Sequence, residues 1–519
     1  MRLRKWLLAA CTAVAASVTM PAAAATWYKA QSEHFTVYSD SSAGVAKLFA
    51  TRLEGYHAVL YLLYQMKNPD ADATAPRFDV VLVKDRRELQ EVWPGVDELV
   101  AGFYSQCEEG AIAYATNQVD DGITKEGSHL GIGQADFDNT TVFHEYAHHF
   151  MFQNYTTPLP RWYVEGFAEY FMTMTIRGRD ISIGTASQER YSDLKTNTWF
   201  DYADILRDKI TYRTGDDELK FYAQSWLLTH YIMISPERLA AWGDYIDAVN
   251  AGADPVTAFE AHLHVKVSDL PTVLNAYLSK GVPTVSFTLK SMAEPVVTVS
   301  EMPRSADKLL LWKSAVQGCA RKTYRTALLG KIEAEAARYP EDAFAEATHE
   351  RAEIVIGDAA KVENETITRA AAHPEDAEAQ YLLGRLYYRK AEDKTDNAFM
   401  AKARTAFLAS YKLDPLSAPD LYYLSLADQR LNGADSKSAI NAAVQASNLA
   451  ASVDTYAENA AYMLIEAGDY DDAAGLLAPL ASDPHSPDNA ALARAIIAAL
   501  KAGKDKAEIL TMFGGSEDK

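Results

Sequence analysis

At 519 residues, with 48% hydrophobic and 23% charged residues, the chain is too long for one ordinary core and too apolar for a disordered polymer. Two or three globular domains are expected, since domains run to about 100–200 residues. A formal net charge of −21 makes it a poor binder of nucleic acid or anionic membrane.

Basic "MRLRK", apolar "WLLAACTAVAASVTM" and small "PAAAA" follow one another at the start, the three parts of a secretory signal, with cleavage expected after Ala25. "LAAC" at residues 8–11 is similar to a lipoprotein cleavage box, but it leaves only a few apolar residues before Cys11, and a cleaved, soluble product is expected. Losing residues 1–25 removes three basic and no acidic residues and takes the charge to −24. No later stretch has the roughly 18 apolar residues of a membrane helix. A periplasmic or secreted protein without a transmembrane segment is therefore expected. Of the remaining cysteines, Cys107 and Cys319, both a disulfide and two separate buried thiols are compatible with the sequence.

From residue 26 to 281 strands and helices alternate. "HFTVYS" reads as a strand, "AGVAKLFATRLEGYHAVLYLLYQM" as a helix, "RFDVVLV" as a second strand and "GAIAYAT" as a third. This is an α+β domain. Residues 282–305, rich in proline and short β-like runs, read as a connector with one hairpin. From 306 to 519 the composition turns Ala-rich and helical. "PEDAFAEA" begins at Pro340 and "PEDAEAQY" at Pro374, and Leu383, Gly384, Tyr387, Ala403, Phe407 and Pro415 fall where a tetratricopeptide repeat sets its small and bulky packing residues, given seven residues inserted around "AEDKTDN". This part resembles tetratricopeptide repeats, which implies an all-α solenoid and a surface for a protein partner.

"TVFHEYAHHF", residues 141–150, carries the chemistry. Residues four apart share a helix face, so His144 and His148 can hold one metal ion, with Glu145 about 100° round the helix beside it. His149 lies off this face and is expected at the surface or behind a ligand. Met151 and Asn154 stand where one class of zinc endopeptidase has glycine and a third histidine, which excludes that class. After "NYTTPLPRW" a second helix opens as "YVEGFAEYF". Returning antiparallel, it brings Glu165 over the histidine pair, with Gly166 letting the two helices approach and Glu169 one turn further on.

"HEYAH" followed by "VEGFAEY" resembles the gluzincins, the zinc peptidases that include thermolysin and the alanyl-type aminopeptidases. Residues 26–281 as a whole also resemble secreted bacterial peptidase-like domains that carry tetratricopeptide repeats. The resemblance implies a zincin-like domain with zinc on His144, His148 and Glu165, a zinc-bound water with Glu145 as general base, and Glu169 orienting a ligand histidine. By the same resemblance Tyr222 in "FYAQSWLLTHYI" is the oxyanion donor, with His230 in reserve. The sixteen residues between His148 and Glu165 are a few fewer than in those families, and no GxMEN motif precedes "HEYAH", so strict aminopeptidase action is not expected.

"GAIAYATN" is the expected exposed edge for an extended substrate. His262, His264 and His129 carry no ligand role. The expectation is an exported zinc metallopeptidase acting on a peptide or protein, its repeats binding substrate or partner. A non-catalytic repeat scaffold with a structural zinc, and a zinc hydrolase of non-peptide amides or esters, stand as alternatives.

Overall fold

Short strands from the first 116 positions, joined by one near residue 300, build a mixed sheet in the computed structural model, which describes residues 26–64, 76–96, 100, 102–116, 140–155, 157–196, 198–394 and 397–513. The expected signal segment and His129 lie outside the described residues. The chain runs β1 (Tyr28–Gln31), β2 (Phe35–Ser39), α1 (Ala43–Tyr64), β3 (Phe78–Val83), α2 (Arg86–Val92), β4 (Gly102–Cys107) and β5 (Gly110–Thr116). Then come the paired helices α3 (Thr140–Asn154) and α4 (Arg161–Phe171), the strands β6 (Thr175–Arg177) and β7 (Asp180–Ile183), and the helices α5 (Gln188–Thr196), α6 (Tyr202–Leu206), α7 (Gly215–Met233), α8 (Pro236–Asn250), α9 (Pro255–Leu263) and α10 (Leu270–Ser279).

The main sheet has the order β4-β5-β3-β2-β1-β9, where β9 is Thr298–Glu301. Strand β2 is parallel to β3 and β3 to β5, while the β1–β2, β1–β9 and β4–β5 pairs are antiparallel. Two expectations are corrected here. Residues 282–305 form no hairpin, because β8 (Val285–Thr288) pairs with β7 in a small second sheet while β9 pairs with β1 in the main one. And "GAIAYAT" is an interior strand, because "GFYSQC" forms β4 outside it and takes the sheet edge. Polar β4 lacks a sustained apolar alternation, and so is not legible as a strand in the sequence.

Since successive side chains point to opposite faces of a strand, the sheet presents two apolar surfaces. Phe35, Val37, Phe78, Val80, Leu82, Ala113 and Ala115 pack with α1, α3, α4 and α7. Val81, Val83, Ile112 and Tyr114 pack with α2 and with α11 (Ala306–Gln317), α12 (Lys322–Ala336) and α13 (Ala343–Ile356). The composition change near residue 306 thus marks no break in the core: the first helices after it roof the sheet.

The array continues with α14 (Glu363–Ala372), α15 (Ala377–Lys394), α16 (Asn397–Leu413), α17 (Ala418–Asn432), α18 (Lys437–Leu449), α19 (Asp454–Ala467), α20 (Tyr470–Leu480), α21 (Pro487–Lys501) and α22 (Lys506–Phe513). It is a stack of helix pairs. Gly384 faces Phe407, and a Cβ there would meet the ring at 2.5 Å, so the small-on-bulky pair read from the sequence is a real contact. Leu382 and Leu386 are the fully buried leucines of α15, with Leu383 and Tyr387 half-buried against the same cluster. Among the described residues no helix is long and apolar enough to cross a membrane.

The β4–β5 hairpin tip is seized by this array. Cys107 at the end of β4 forms a disulfide with Cys319 after α11. Beside it the buried Glu109 carboxylate accepts from Arg351 Nη1 at 3.0 Å and from the Tyr381 hydroxyl at 3.0 Å, and Arg385 pairs with its other oxygen. Tyr456 of α19 donates to the Glu108 carbonyl at 3.0 Å. Removing one partner of such a buried cluster leaves uncompensated charge. Glu109→Ala is therefore expected to destabilise the protein by about 3–5 kcal/mol, read as a lower denaturant midpoint, with Glu109→Gln falling between it and wild type.

Candidate metal centre

Two packed helices make the site. Helix α3 buries one apolar face, Val142, Phe143, Ala147 and Phe150, in the core, and the same burial presents His144 and His148 to α4. Pro160 starts α4, and the return places Glu165 and Glu169 opposite them, 1% and 0% exposed. Gly166 faces neither histidine. A Cβ there would strike Ser225 and Thr229 of α7, so the glycine sets the approach of α4 to α7 and not, as expected, that of α4 to α3.

The three expected ligand atoms converge. His144 Nε2 and His148 Nε2 are 3.1 Å apart, and Glu165 Oε2 is 3.5 Å from each. A tetrahedral ion with bonds of about 2.0–2.1 Å sets its ligand atoms about 3.3 Å apart, so this triangle has room for one ion at bonding distance from all three corners. Glu165 Oε2 is buried, with no hydrogen bond closer than its 3.5 Å approach to the two imidazoles, which is costly unless a cation or proton meets it. Both observations fit a metal. Two further groupings of metal-binding residue types occur among the described residues, but neither matches it. Cys107 and Cys319 are spent in the disulfide, and Glu333 and Glu353 are bridged by Lys361 at 2.7 and 2.9 Å.

Charge is tightly balanced here. Burial opposes a charge on His144, but the Glu165 hydrogen bond and the charges of Glu169, Glu165 and Glu145 outweigh it and lift its pKa to about 9. His148 is pushed down by burial. Burial would raise Glu165, yet the charge of His148 and the hydrogen bonds of His144 and His148 hold it well below the usual carboxylate range.

Behind the ligands, Glu169 Oε1 lies 3.6 Å from His144 Nδ1, the place of a group that orients a ligand imidazole. Arg190 of α5 grips the same carboxylate with two donors, at 2.8 and 2.7 Å. Nothing in the pattern of "SQERYSD" marks that arginine. Glu145 is half-buried, and its charge acts on His144, His485, Tyr222 and Tyr104, which sets it among those four residues.

The remaining expectations divide. The Tyr222 ring stands 6.2 Å from that of His144, while its hydroxyl donates to Glu218 at 3.2 Å. His230 is corrected: it is fully buried, its Nε2 bonded to the Gly184 carbonyl and its Nδ1 to the Tyr277 hydroxyl, both at 2.9 Å, so it is a core residue away from the centre. His149 turns away from the ligands and packs on Phe78 with ring centroids 4.7 Å apart. His264 ends α9 in the left-handed conformation. One unexpected residue arrives from the repeats. His485 Nε2 is 4.0 Å from Glu165 Oε1, and its ring meets His148 edge-on at 5.0 Å.

A family model described as "Protein of unknown function (DUF1570)" matches residues 138–248, a stretch that holds His144, Glu145, His148, Glu165, Glu169, Arg190 and Tyr222 but not His485. No curated protein matches the chain. Among solved structures, a thermophilic tetratricopeptide-repeat protein of Thermus thermophilus is similar at 20% identity and a TM-score of 0.31, covering 37% of this chain and 99% of its own.

Because the folded pKa of His144, about 9, exceeds its unfolded value of about 6.5, its contribution to the stability of the metal-free protein is complete below that lower value and is lost as pH rises through the higher one. An ion must displace this proton. The affinity of these residues for a zinc ion is therefore expected to rise with pH until it levels off at about 9, with about one proton released per ion below that pH, measured by calorimetry in buffers of different ionisation enthalpy. Glu169→Gln is expected to weaken zinc binding about 10- to 100-fold, read by competition with a chelator.

Proposed function

We propose that this chain is an exported zinc metallopeptidase of gluzincin type. The observation that carries the reading is the buried triangle of His144 Nε2, His148 Nε2 and Glu165 Oε2, with sides of 3.1, 3.5 and 3.5 Å, beside the half-buried carboxylate of Glu145. Those three atoms would hold zinc, which would supply Lewis-acid activation of a water and of the scissile carbonyl.

Glu145 receives the proton of the attacking water and passes it to the departing amine, the task of a general base that becomes a general acid. Glu169, on the Nδ1 side of His144, would keep that ring in the orientation in which Nε2 joins the triangle, and Arg190 keeps Glu169 from turning away. A centre serving structure alone is closed by four protein ligands, whereas among the described residues three converge here, with Glu145 beside them.

Export is supported by the amino-terminal pattern of charge, apolar run and small residues and by the Cys107–Cys319 disulfide, a bond that persists in oxidising compartments. The scaffold alternative is weakened by the packing of the repeats: Arg351, Tyr381, Arg385 and Tyr456 are engaged with the β4–β5 hairpin of the same chain, so these residues of the array already have a ligand.

Glu145→Gln is expected to abolish cleavage of a diverse peptide mixture, by at least about 10²-fold, while zinc content matches that of the wild type. Mass spectrometry of the products reads the first and metal analysis the second. Equal cleavage by the variant, or none by the zinc-loaded wild type, would remove the peptidase reading.

A further inference from the structure

The turn between α20 and α21, Ser482–Asp483–Pro484–His485, is fastened both to the link between α3 and α4 and to strand β4. Ser482 Oγ accepts from the Leu159 backbone N–H, in the link from α3 to α4, at 2.8 Å. Asp483 Oδ2 accepts from Gln106 Nε2 on the edge strand β4 at 3.2 Å. The same carboxylate reaches inward, Oδ1 accepting from the His485 backbone N–H at 2.8 Å. Ser482 and Asp483 are each 5% exposed, so these are interior contacts, and proline between them and His485 removes backbone freedom.

What this rigid turn delivers is an imidazole. Its Nε2 is 4.0 Å from Glu165 Oε1, the carboxylate oxygen outside the ligand triangle, and its side chain keeps 41% exposure. The ring stands to His148 much as His144 does, at 5.0 Å and 85° against 4.7 Å and 83°. Yet it does not join the set of atoms that gather within ligand distance. It stands beside the triangle and not within it, brought there from the repeats.

We propose that His485 is a substrate-facing hydrogen-bond donor of the centre, so that the helical repeats complete the active site. The inference rests on the zinc-peptidase reading and adds to it the source of the donor expected opposite the metal. Tyr222, whose hydroxyl is turned to Glu218, and His230, held in the core, leave that position to be filled. A donor aimed at a developing oxyanion acts most strongly where it is held in place beforehand, and the contacts of Ser482 and Asp483 do the holding.

The test uses the zinc-loaded full chain and a phosphinic pseudotripeptide, whose tetrahedral P–O⁻ accepts the hydrogen bond a tetrahedral oxyanion would accept. His485→Ala is expected to weaken phosphinate binding about 10- to 100-fold, with zinc affinity and the thermal midpoint unchanged. His485→Gln, which keeps a donor, is expected to recover part of the loss. Asp483→Ala, which frees the turn, is expected to weaken the phosphinate as well. Unchanged phosphinate affinity in His485→Ala would overturn the assignment, and so would a parallel loss of zinc, which would make His485 a ligand. Wild-type protein that takes up zinc but not the phosphinate would remove the peptidase reading along with this one.

Discussion

A carboxylate buried to 1% exposure within 3.5 Å of two imidazoles is the point on which the amino-terminal half is organised. Taking Glu165 out of water is expensive unless positive charge meets it, and the surrounding elements are arranged to supply that charge and hold it. Helix α3 must present His144 and His148 on one line, α4 must return at one height, and Gly166 must be bare so that α4 can seat against α7. Glu169 and Arg190 then extend the balance outward, a second carboxylate beside His144 and a guanidinium to neutralise it. Charges alternate in sign from the centre to α5, so each buried group is compensated by its neighbour.

The repeats belong to the same construction. A sheet with two apolar faces needs cover on both, and here α1, α3 and α4 cover one while α11, α12 and α13 cover the other. The clamp on Glu109, the disulfide beside it and the Ser482–His485 turn then tie successive parts of the array to the β4–β5 hairpin and to the link between α3 and α4. Edge strand β4, the helix pair and the repeats are thereby fixed relative to one another, which is the condition for a residue of the array to act at the centre.

The reading from sequence succeeded where the pattern is local. A four-residue histidine spacing, a glutamate on the next helix and a 34-residue recurrence of "PED" are periodicities of single elements, and each survives in the structure as a shared face or a packed pair. It failed where meaning depends on a partner far along the chain. His230 had the residue type and setting of a donor, and the backbone of Gly184 and the hydroxyl of Tyr277 claim both its nitrogens. "GAIAYAT" had the alternation of an edge strand, and polar "GFYSQC" covers it. Residues 282–305 had the look of a hairpin, and two different sheets divide its strands.

By itself the sequence determined the helical faces, three of the strands near the amino terminus, the repeat period and the shared face of His144 and His148, because helix periodicity places residues four apart on one line whatever surrounds them. Only the tertiary structure decided that Cys107 meets Cys319, that Arg190 braces Glu169 and that His485, 337 residues after His148, comes within 4.0 Å of Glu165. Those meetings depend on how layers stack, and stacking is set by the joint burial of many apolar side chains, a property of the assembled core that no short window of residues contains.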